Sequence, residues 1–354
     1  MRAHRSPVSK PFTVGRAFAV LAGAVTLACD GATDPGEVRR IAELAAVTAG
    51  PDRLVAVGAT FWATDAIVPA SDTAFIVSSA DGLSWETAVT PAAGTLLGVA
   101  QGDGRYVAVG SRFVNDVGQA SFTPVVYQSD DGRTWQAVPD SSGRSWGAVV
   151  WGAGTFVAVG VDAATLSSVI ATSPDGATWT DRAVANIASA RVTFGAGTFV
   201  LWGEAGAVAV SSDAIDWTVT PVDSVDRITG MIYEGGRFLA SGLHDCCFGE
   251  IAGAAAYFDL SSPGGTSWTV TRRTAPEASF WGYAFGGGRF VALSARTVFT
   301  SSDGATWEEA REFPEHHSGI AYLNGRFVVV GRAIRVSADG EDWTEVELPV
   351  PDAP

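Results

Sequence analysis

A seven-residue phrase, Ser-x-Asp-Gly-x-x-Trp, recurs along this chain of 354 residues and limits its possible folds more than any other feature. We call each copy a box. Five boxes are intact, and two carry a substitution: Ala214 stands in place of the glycine, and Gly264 in place of the aspartate. The boxes end, in order, at Trp85, Trp135, Trp179, Trp217, Trp268, Trp307 and Trp343. Successive box tryptophans lie 36 to 51 residues apart, a period that is typical of folds assembled from repeated sheets.

Each repeat contains enough short apolar runs for four strands. A second phrase, Gly-Arg/Thr-aromatic-Val-Ala-Val-Gly, precedes the box, as at 104–110, and an apolar run such as 147–150 comes before it. We therefore expect an inner strand, a glycine hairpin, a β-rich second strand, a third strand that ends in the box and a fourth that begins near the tryptophan. Seven such repeats predict an all-β chain that folds as a seven-bladed β-propeller of four-stranded antiparallel blades.

The repeats also predict where the domain begins and ends. The propeller is expected over 42–349, with blades at 42–90, 97–140, 147–184, 191–222, 228–273, 281–311 and 318–349. Residues 1–28 are assigned to an export signal, 29–41 to a tether and 350–354 to a tail. The mode of ring closure stays open, with 37–41 available to add to the last blade.

The box residues have a structural explanation. A carboxylate in such a turn can accept hydrogen bonds from the backbone amides of its own turn, which applies to Asp81, Asp131, Asp175, Asp213, Asp303 and Asp339. The tryptophan opens the outer strand and can wedge between blades. One buried indole removes ~150–250 Å² from water, which is worth roughly 4–6 kcal/mol as an upper bound.

Arginines of the second phrase lie on the same face as the boxes, because both turns fall on one side of a blade. They are Arg105, Arg237, Arg289 and Arg326. We expect them to pair with box aspartates, and the alternative is a ring of ligand-binding arginines.

The N-terminus resembles a bacterial lipoprotein signal. Basic residues are followed by an apolar run over 17–28, which is too short to span a bilayer comfortably. The run ends at Thr26-Leu27-Ala28-Cys29, similar to a lipobox, so Cys29 is the expected lipidation site. We expect an exported protein that is anchored by lipid at the periplasmic side or the cell surface. The alternative is secretion by an ordinary signal.

Charge restricts the class of partner. Loss of 1–28 removes four basic residues and no acidic ones, which moves the net charge from -15 to -19. A surface this acidic argues against nucleic acid and anionic lipid as partners. The only lysine is Lys10, so the exported chain would have none, which excludes Schiff-base chemistry.

The segment His244-Asp245-Cys246-Cys247 is the one cluster of reactive residue types. Three interpretations stay open: a disulfide between the adjacent cysteines, free thiols, or a metal site. The metal site would need further converging ligands such as His316 and His317. No metal or other cofactor is predicted from spacing alone.

The boxes resemble the Asp-box (BNR) repeat of sialidase-like propellers and of the seven-bladed photosystem II assembly-factor type, over residues 42–349. The box here is one residue shorter than the usual Ser-x-Asp-x-Gly-x-Thr-Trp. Sialidases have six blades, an arginine triad, a Tyr-Glu pair and an acid/base aspartate. Their first arginine lies in an Arg-Ile-Pro phrase, whereas this chain has Arg40-Ile41-Ala42. The resemblance therefore implies the fold, and the sialidase residues cannot be assembled from this sequence.

Ligand-binding residues are expected on the face opposite the boxes, which we call the loop face, because function in such folds concentrates on variable loops. The longest inserted loops span 59–74, 111–124 and 243–254. Trp146 and Trp281, each followed by glycine at the start of an inner strand, are expected to rim the channel, where they would either pack under the inserted loops or stack on a ligand. The candidate binding residues are Trp146, Trp281, Trp62, Asp65, Asn115, Asp116, His244 and Asp245.

These residues favour a non-catalytic binding or scaffolding module for a glycan or protein ligand. We expect a monomer that contacts the membrane only through its lipid. One alternative is a sialidase-like glycoside hydrolase or lyase with carboxylates at the channel mouth. The second is a redox or metal protein that uses Cys246 and Cys247.

Overall fold

A computed structural model describes residues 39–63, 73–88, 93–116, 119–140, 142–165, 167–183, 187, 191–204, 206–244 and 255–350, with the side chains of 39, 40, 62, 63, 115, 116, 119 and 120 left aside. The chain divides into a short N-terminal unit, Met1–Thr33, and a larger unit, Asp34–Pro354. The N-terminal unit, with the expected signal and Cys29, lies outside the described residues. No helix in the part described is long and apolar enough to cross a membrane.

The larger unit is a seven-bladed β-propeller, which confirms the predicted fold. Each blade is an antiparallel sheet of four consecutive strands, ordered from the inner to the outer edge. The first four blades contain β1 (Arg39–Ala49), β2 (Leu54–Ala63), β3 (Thr73–Ser79) and β4 (Glu86–Thr87); β5 (Thr95–Gly102), β6 (Arg105–Asp116), β7 (Gln119–Ser129) and β8 (Gln136–Val138); β9 (Arg144–Gly152), β10 (Thr155–Asp162), β11 (Ser168–Ser173) and β12 (Thr180–Arg182); β13 (Arg191–Gly195), β14 (Thr198–Trp202), β15 (Ala207–Ser211) and β16 (Thr218–Pro221).

The last three blades follow the same order. They contain β17 (Arg227–Glu234), β18 (Arg237–His244), β19 (Ala256–Ser262) and β20 (Thr269–Arg273); β21 (Gly282–Gly286), β22 (Arg289–Ser294), β23 (Thr297–Ser301) and β24 (Glu308–Glu312); β25 (His317–Leu323), β26 (Arg326–Gly331), β27 (Ile334–Ser337) and β28 (Thr344–Val346).

Between residues 39 and 350, the ring closes by packing, and the first and last blades exchange no strand. Inner strands contact one another around the axis, and β1 contacts β25. Arg39 to Ile41 pair with β2 and so extend blade 1, rather than adding to blade 7. Two hydrogen bonds join the ends of the ring: the Thr87 hydroxyl donates to the Pro349 carbonyl at 2.7 Å, and the Asn324 amide donates to the Ala80 carbonyl at 3.1 Å.

The box is a self-contained hydrogen-bonded turn. In blade 6, the Ser301 hydroxyl donates to Asp303 Oδ1 at 2.9 Å and accepts the Gly304 amide at 2.9 Å. The same aspartate oxygen accepts the amides of Ala305 and Thr306 at 2.8 and 2.7 Å. The glycine needs a positive φ, 71° at Gly304.

The substituted boxes keep this turn as far as their residues allow. Ala214 adopts a φ of 60°, a conformation that is costly for a residue with a Cβ, and its amide still donates to the Ser211 hydroxyl at 2.9 Å. In blade 5, the Gly265 amide donates to the Ser262 hydroxyl at 2.8 Å, although no box carboxylate is present. The serine and the residue at positive φ are therefore sufficient to form the turn.

Every box tryptophan packs in an apolar cluster that its own blade shares with the preceding blade. Trp85 of blade 1 lies with Val328 and Val336 of blade 7, and Trp307 of blade 6 lies with Leu239 of blade 5. Each of the other five clusters likewise contains one box tryptophan and combines residues of two adjacent blades. Seven indoles thus occupy seven interfaces, and the ring is complete.

Arginines of the second phrase stitch adjacent blades together through backbone oxygens. Arg237 donates to the carbonyl of Asp303 at 2.7 Å, and Arg289 donates to the carbonyl of Asp339 at 3.0 Å. Arg105 makes the same contact with the next box, that of Asp175. Arg105 also pairs with Asp130, and Arg289 with Glu341, which are carboxylates at variable positions of the boxes. The expected pairing therefore occurs there, whereas the box aspartates Asp303 and Asp339 accept the amides of their own turns.

Truncation of one box indole should weaken the whole ring. We expect Trp307→Ala to lower the free energy of unfolding by about 3–5 kcal/mol, because it removes a large side chain from a blade interface. Trp281→Ala, which removes an indole that is 37% exposed, should cost less than about 1 kcal/mol. Urea unfolding followed by far-ultraviolet circular dichroism measures both. Equal losses in the two variants would contradict the interface role.

Candidate functional site

A β-bulge near the loop-face end of the inner strand decides which side chains reach the channel. In blades 2, 5 and 7 the pairing of the inner strand skips one residue, as between Leu96 and Gly98. Blades 1 and 3 have the same irregularity. The residue before the bulge is buried in each of these blades: Leu44, Leu96, Trp146, Ile228 and His317. The bulged residue is instead half-buried, and in blade 5 the Thr229 hydroxyl contacts the carbonyls of Ser241 and Phe280.

Trp146 is the residue before the bulge, and the prediction that it rims the channel is wrong. Its side chain is 2% exposed and stacks on Trp179 with ring centroids 6.4 Å apart. Its Nε1 donates to Asp140 at 3.0 Å. The indole is therefore part of the interface between blades 2 and 3 and cannot meet a ligand.

Trp281 occupies a different position from Trp146, one residue further along the strand. Gly282 pairs with Leu293, as Ala148 pairs with Val159 at the matching place in blade 3. The buried counterpart of Trp146 is therefore Phe280, which is 0% exposed, whereas Trp281 is 37% exposed. The two Trp-Gly dipeptides look equivalent in the sequence but differ in register by one residue. In blade 3 the glycine, Gly147, is the bulged residue, whereas in blade 6 Gly282 matches the residue after the bulge.

The hairpin of blade 2 extends beyond its sheet at the loop face. β6 and β7 stay paired from Tyr106 and Ser129 out to Asp116 and Gln119, whereas β5 pairs with β6 only as far as Ser111. Phe113 is 54% exposed on this extension. Its ring lies 5.4 Å from that of Phe122, the residue opposite it in the pairing. The backbone of Asn115 and Asp116 ends β6, and their side chains lie outside the described residues.

Guanidinium groups buried on this side of the blades are ion-paired. Arg273 makes a bidentate pair with Asp259 and lies 4.0 Å from the centre of the Phe280 ring. Arg335 donates to Glu315 at 2.6 Å and to Glu345 at 2.8 Å. These carboxylates neutralise arginines within blades, so their role in the structure is accounted for.

The carboxyl pKa values do not resemble those of a general acid. Every described carboxyl whose pKa departs from its ordinary value is lowered, and the values of Asp131, Asp175 and Asp303 fall to about 2. The largest cause is the backbone amide three residues further on. A glycoside hydrolase needs one carboxyl with a raised pKa, so the hydrolase alternative gains no support here.

His244 does not join a metal site in the described part of the chain. It is exposed at the end of β18, and its Nδ1 lies 3.0 Å from Asp226. Nearby, Arg227 lies 3.8 Å from Glu204. Within the described ranges, no three histidine, cysteine or acidic side chains converge as metal ligands.

Several predicted site residues lie outside the described residues. Asp245, Cys246 and Cys247 are among them, so the three interpretations of the cysteine pair remain predictions. The loop that holds Asp65 is likewise outside. Trp62 lies in β2 by its backbone, and its side chain is not described.

A cavity beside the box of blade 2 is a poor candidate for a small-molecule site. It has a volume of about 210 Å³ and is lined by Gln128, Ser129, Asp130, Asp131, Thr134 and Gln136. Ligand pockets usually hold about 300–1,000 Å³ and are mostly apolar. The loop face and the channel are therefore the better candidates.

Two functional candidates escaped the reading of the sequence. The sequence analysis placed Phe122 in the inserted loop 111–124, and only the strand pairing shows that it lies opposite Phe113. Arg191, the first residue of β13, is exposed at the axis. Alignment of the inner strands on their hairpins would have shown that a charged residue stands there.

The chain is similar in fold to solved β-propellers. It matches the WD40 β-propeller domain of Doa1 with a TM-score of 0.56 and 12% identity, over 84% of this chain and 95% of that chain. It matches the extracellular domain of the one-component system BT4673 from B. thetaiotaomicron with a TM-score of 0.53 and 9% identity, over 86% of this chain and 40% of that chain. At these identities the likeness shows the fold alone.

No protein-family model matches the chain, and no curated protein matches it by sequence. A β-fructofuranosidase of family GH32 from Bombyx mori aligns over 88% of this chain and 89% of its own at 10% identity. Its TM-score of 0.37 is too low to bear on activity.

Burial of His317 should make the ring sensitive to mild acid. This side chain is 3% exposed and packs edge-on against Phe313, with ring centroids 4.8 Å apart. Burial, with a smaller contribution from the charge of Arg335, lowers its pKa to about 4. Neither ring nitrogen has a hydrogen bond of normal geometry, although the nearby Arg296 carbonyl opposes the shift in part.

The unfolded chain binds a proton at His317 below about pH 6.5, whereas the folded chain does so only below about pH 4. Stability should therefore fall as the pH drops from 6.5 to 4, by up to roughly 3 kcal/mol from this group. His317→Leu, which copies Leu44 and Leu96, should remove that part of the loss, and His316→Leu at an exposed neighbour should not. Urea unfolding at pH 7, 5.5 and 4 checks this. Identical pH profiles for wild type and His317→Leu would refute it.

Proposed function

We propose that the protein is a non-catalytic binding module that holds a protein partner at its loop face, with the extended hairpin of blade 2 as the docking element. The observation that carries this proposal is the exposed Phe113, whose ring packs at a tilt against Phe122 at the end of a strand pair that no third described strand supports. A two-stranded ribbon is marginally stable by itself. A partner that covers the aromatic pair would stabilise it.

The chemistry of the hairpin fits a protein partner. Aromatic residues and arginine are enriched at the centres of protein interfaces, and the exposed Arg112 precedes Phe113. Beyond Ser111, β6 pairs with no described strand other than β7, so an added strand could pair along its outer edge. The partner is therefore expected to present apolar side chains and an extended segment.

A glycan ligand is the second candidate, and the exposed indole of Trp281 favours it. The ring stands at the mouth of the channel in the position where the other blades have small or medium-sized residues, such as Thr229 and Ser318. Indole faces stack on sugar rings. A glycan would use the channel mouth, whereas a protein would use the hairpin of blade 2.

We also propose export and anchorage through lipid at Cys29, on the strength of the N-terminal sequence alone. The acidic surface then keeps the module away from anionic lipid heads.

Site-specific crosslinking in the native cell tests the docking element. A photo-reactive phenylalanine analogue at position 113 should yield discrete crosslinked species. The same analogue at position 215, where Ile215 is 47% exposed on the opposite face, should yield none. Products are separated by electrophoresis and identified by mass spectrometry. Phe113→Ser should reduce co-purification of the captured protein at least about tenfold, with unchanged stability.

Equal crosslinking from positions 113 and 215, or none from 113, would contradict the protein-binding proposal. A glycan array probed with the wild type and with Trp281→Ala separates the second candidate, since only a glycan-binding module would lose array signal in that variant.

A further inference from the structure

Arg191 breaks a pattern that the other six blades share. Arg191 pairs with Trp202, four residues before the end of the inner strand at its hairpin. At the same position, counted from the hairpin, the other inner strands have small residues: Ala46, Gly98, Ala148, Gly230, Gly282 and Gly319. In blade 5 even a Cβ would not fit there, since on Gly230 it would lie 2.6 Å from the carbonyl of Phe280 in the next blade, and blades 1 and 3 carry only alanine. Blade 4 alone carries a long, charged side chain at this point.

The surroundings of Arg191 are those of a channel. The residue is exposed to water, yet the protein around it lowers the pKa of its guanidinium by desolvation. The two observations agree for a side chain in a water-filled crevice at the axis, where inner strands contact one another on both sides. Because the side chain reaches water, its guanidinium stays charged at neutral pH.

Arg191 has no partner among the described residues. No hydrogen bond or ion pair joins its guanidinium to another described group, and desolvation is the sole cause of the shift in its pKa. Arg144, Arg273 and Arg335 each pair with carboxylates. The chain has 38 acidic residues against 23 lysines and arginines, so a shortage of carboxylates does not explain why Arg191 lacks one among the described residues. A partly desolvated, unpaired charge is costly, and a bound anion would remove that cost.

We propose that the central channel binds a small oxyanion through the guanidinium of Arg191. The planar fork of arginine suits carboxylate, sulfate and phosphate, which it can hold with two parallel hydrogen bonds. The acidic protein around the channel disfavours highly charged anions. A ligand with a single oxyanion group is therefore the expected occupant. This site is separate from the hairpin of blade 2, and its occupancy does not depend on a protein partner.

Arginine Nε resonances test the proposal on the intact wild-type protein. A two-dimensional ¹H–¹⁵N spectrum is recorded at low ionic strength while sodium acetate or sodium sulfate is added, with sodium chloride at matched ionic strength as the reference. Arg191→Gln assigns the Arg191 signal by its loss. Arg272, exposed on the outer strand of blade 5, serves as the internal control, assigned through Arg272→Gln.

The Arg191 signal should shift and saturate, with a dissociation constant on the order of 1 mM, while Arg272 shifts only as it does with chloride. Saturation by acetate alone would identify a carboxylate ligand, and saturation by sulfate as well would identify a general oxyanion site. The inference is overturned if neither anion moves Arg191 further than Arg272, or if the shift stays linear over the titration.

Discussion

The structure depends on the packing of one indole in each interface between blades. A box tryptophan belongs by sequence to its own outer strand, but it packs against the sheet that comes before it, so seven local turns become one closed ring. The box turn holds the tryptophan at the right height because its serine and aspartate saturate the backbone amides of the turn. Arginines of the neighbouring blade then bind the one group that the turn leaves open, the aspartate carbonyl. Hydrophobic burial and satisfied backbone groups therefore act on the same residues.

This arrangement separates stability from function in space. The box face is occupied by repeated turns whose backbone amides already have partners, whereas the loop face and the inner strands differ from blade to blade. The extended β6–β7 hairpin and the exposed Trp281 lie on that variable side, and so does Arg191, whose guanidinium has no partner among the described residues. Each is a local exception in a repeat that would otherwise place a short turn or a small residue there. An exception of this kind costs stability, and a ligand would give a reason for it.

The fold could be predicted from the sequence because the box recurs seven times and its turn requires serine, aspartate and glycine at fixed positions. The candidate site could be predicted only in part. Trp146 and Trp281 look alike in sequence, and a bulge of one residue buries the first and exposes the second. Arginines of the second phrase were expected to pair with box aspartates. The turn geometry shows that these carboxylates already accept backbone amides, and Arg237 and Arg289 instead bind the aspartate carbonyls. Arg191 and Phe122 gain meaning only from strand register, which places them beside residues far away in the chain.

A double-mutant cycle between Trp307 and Leu239 tests the central role of the box indoles most directly, because the two side chains belong to adjacent blades and share one cluster. The free energy of unfolding is measured for Trp307→Ala, Leu239→Ala and the double variant. Trp307→Ala is also combined with Val57→Ala, a core change in blade 1 that belongs to a different cluster. If the indole holds the blades together, the first pair should show a coupling of at least about 1 kcal/mol and the second should be additive within about 0.5 kcal/mol. Additivity in both pairs would mean that the tryptophan stabilises its own blade alone, and the ring would need another explanation.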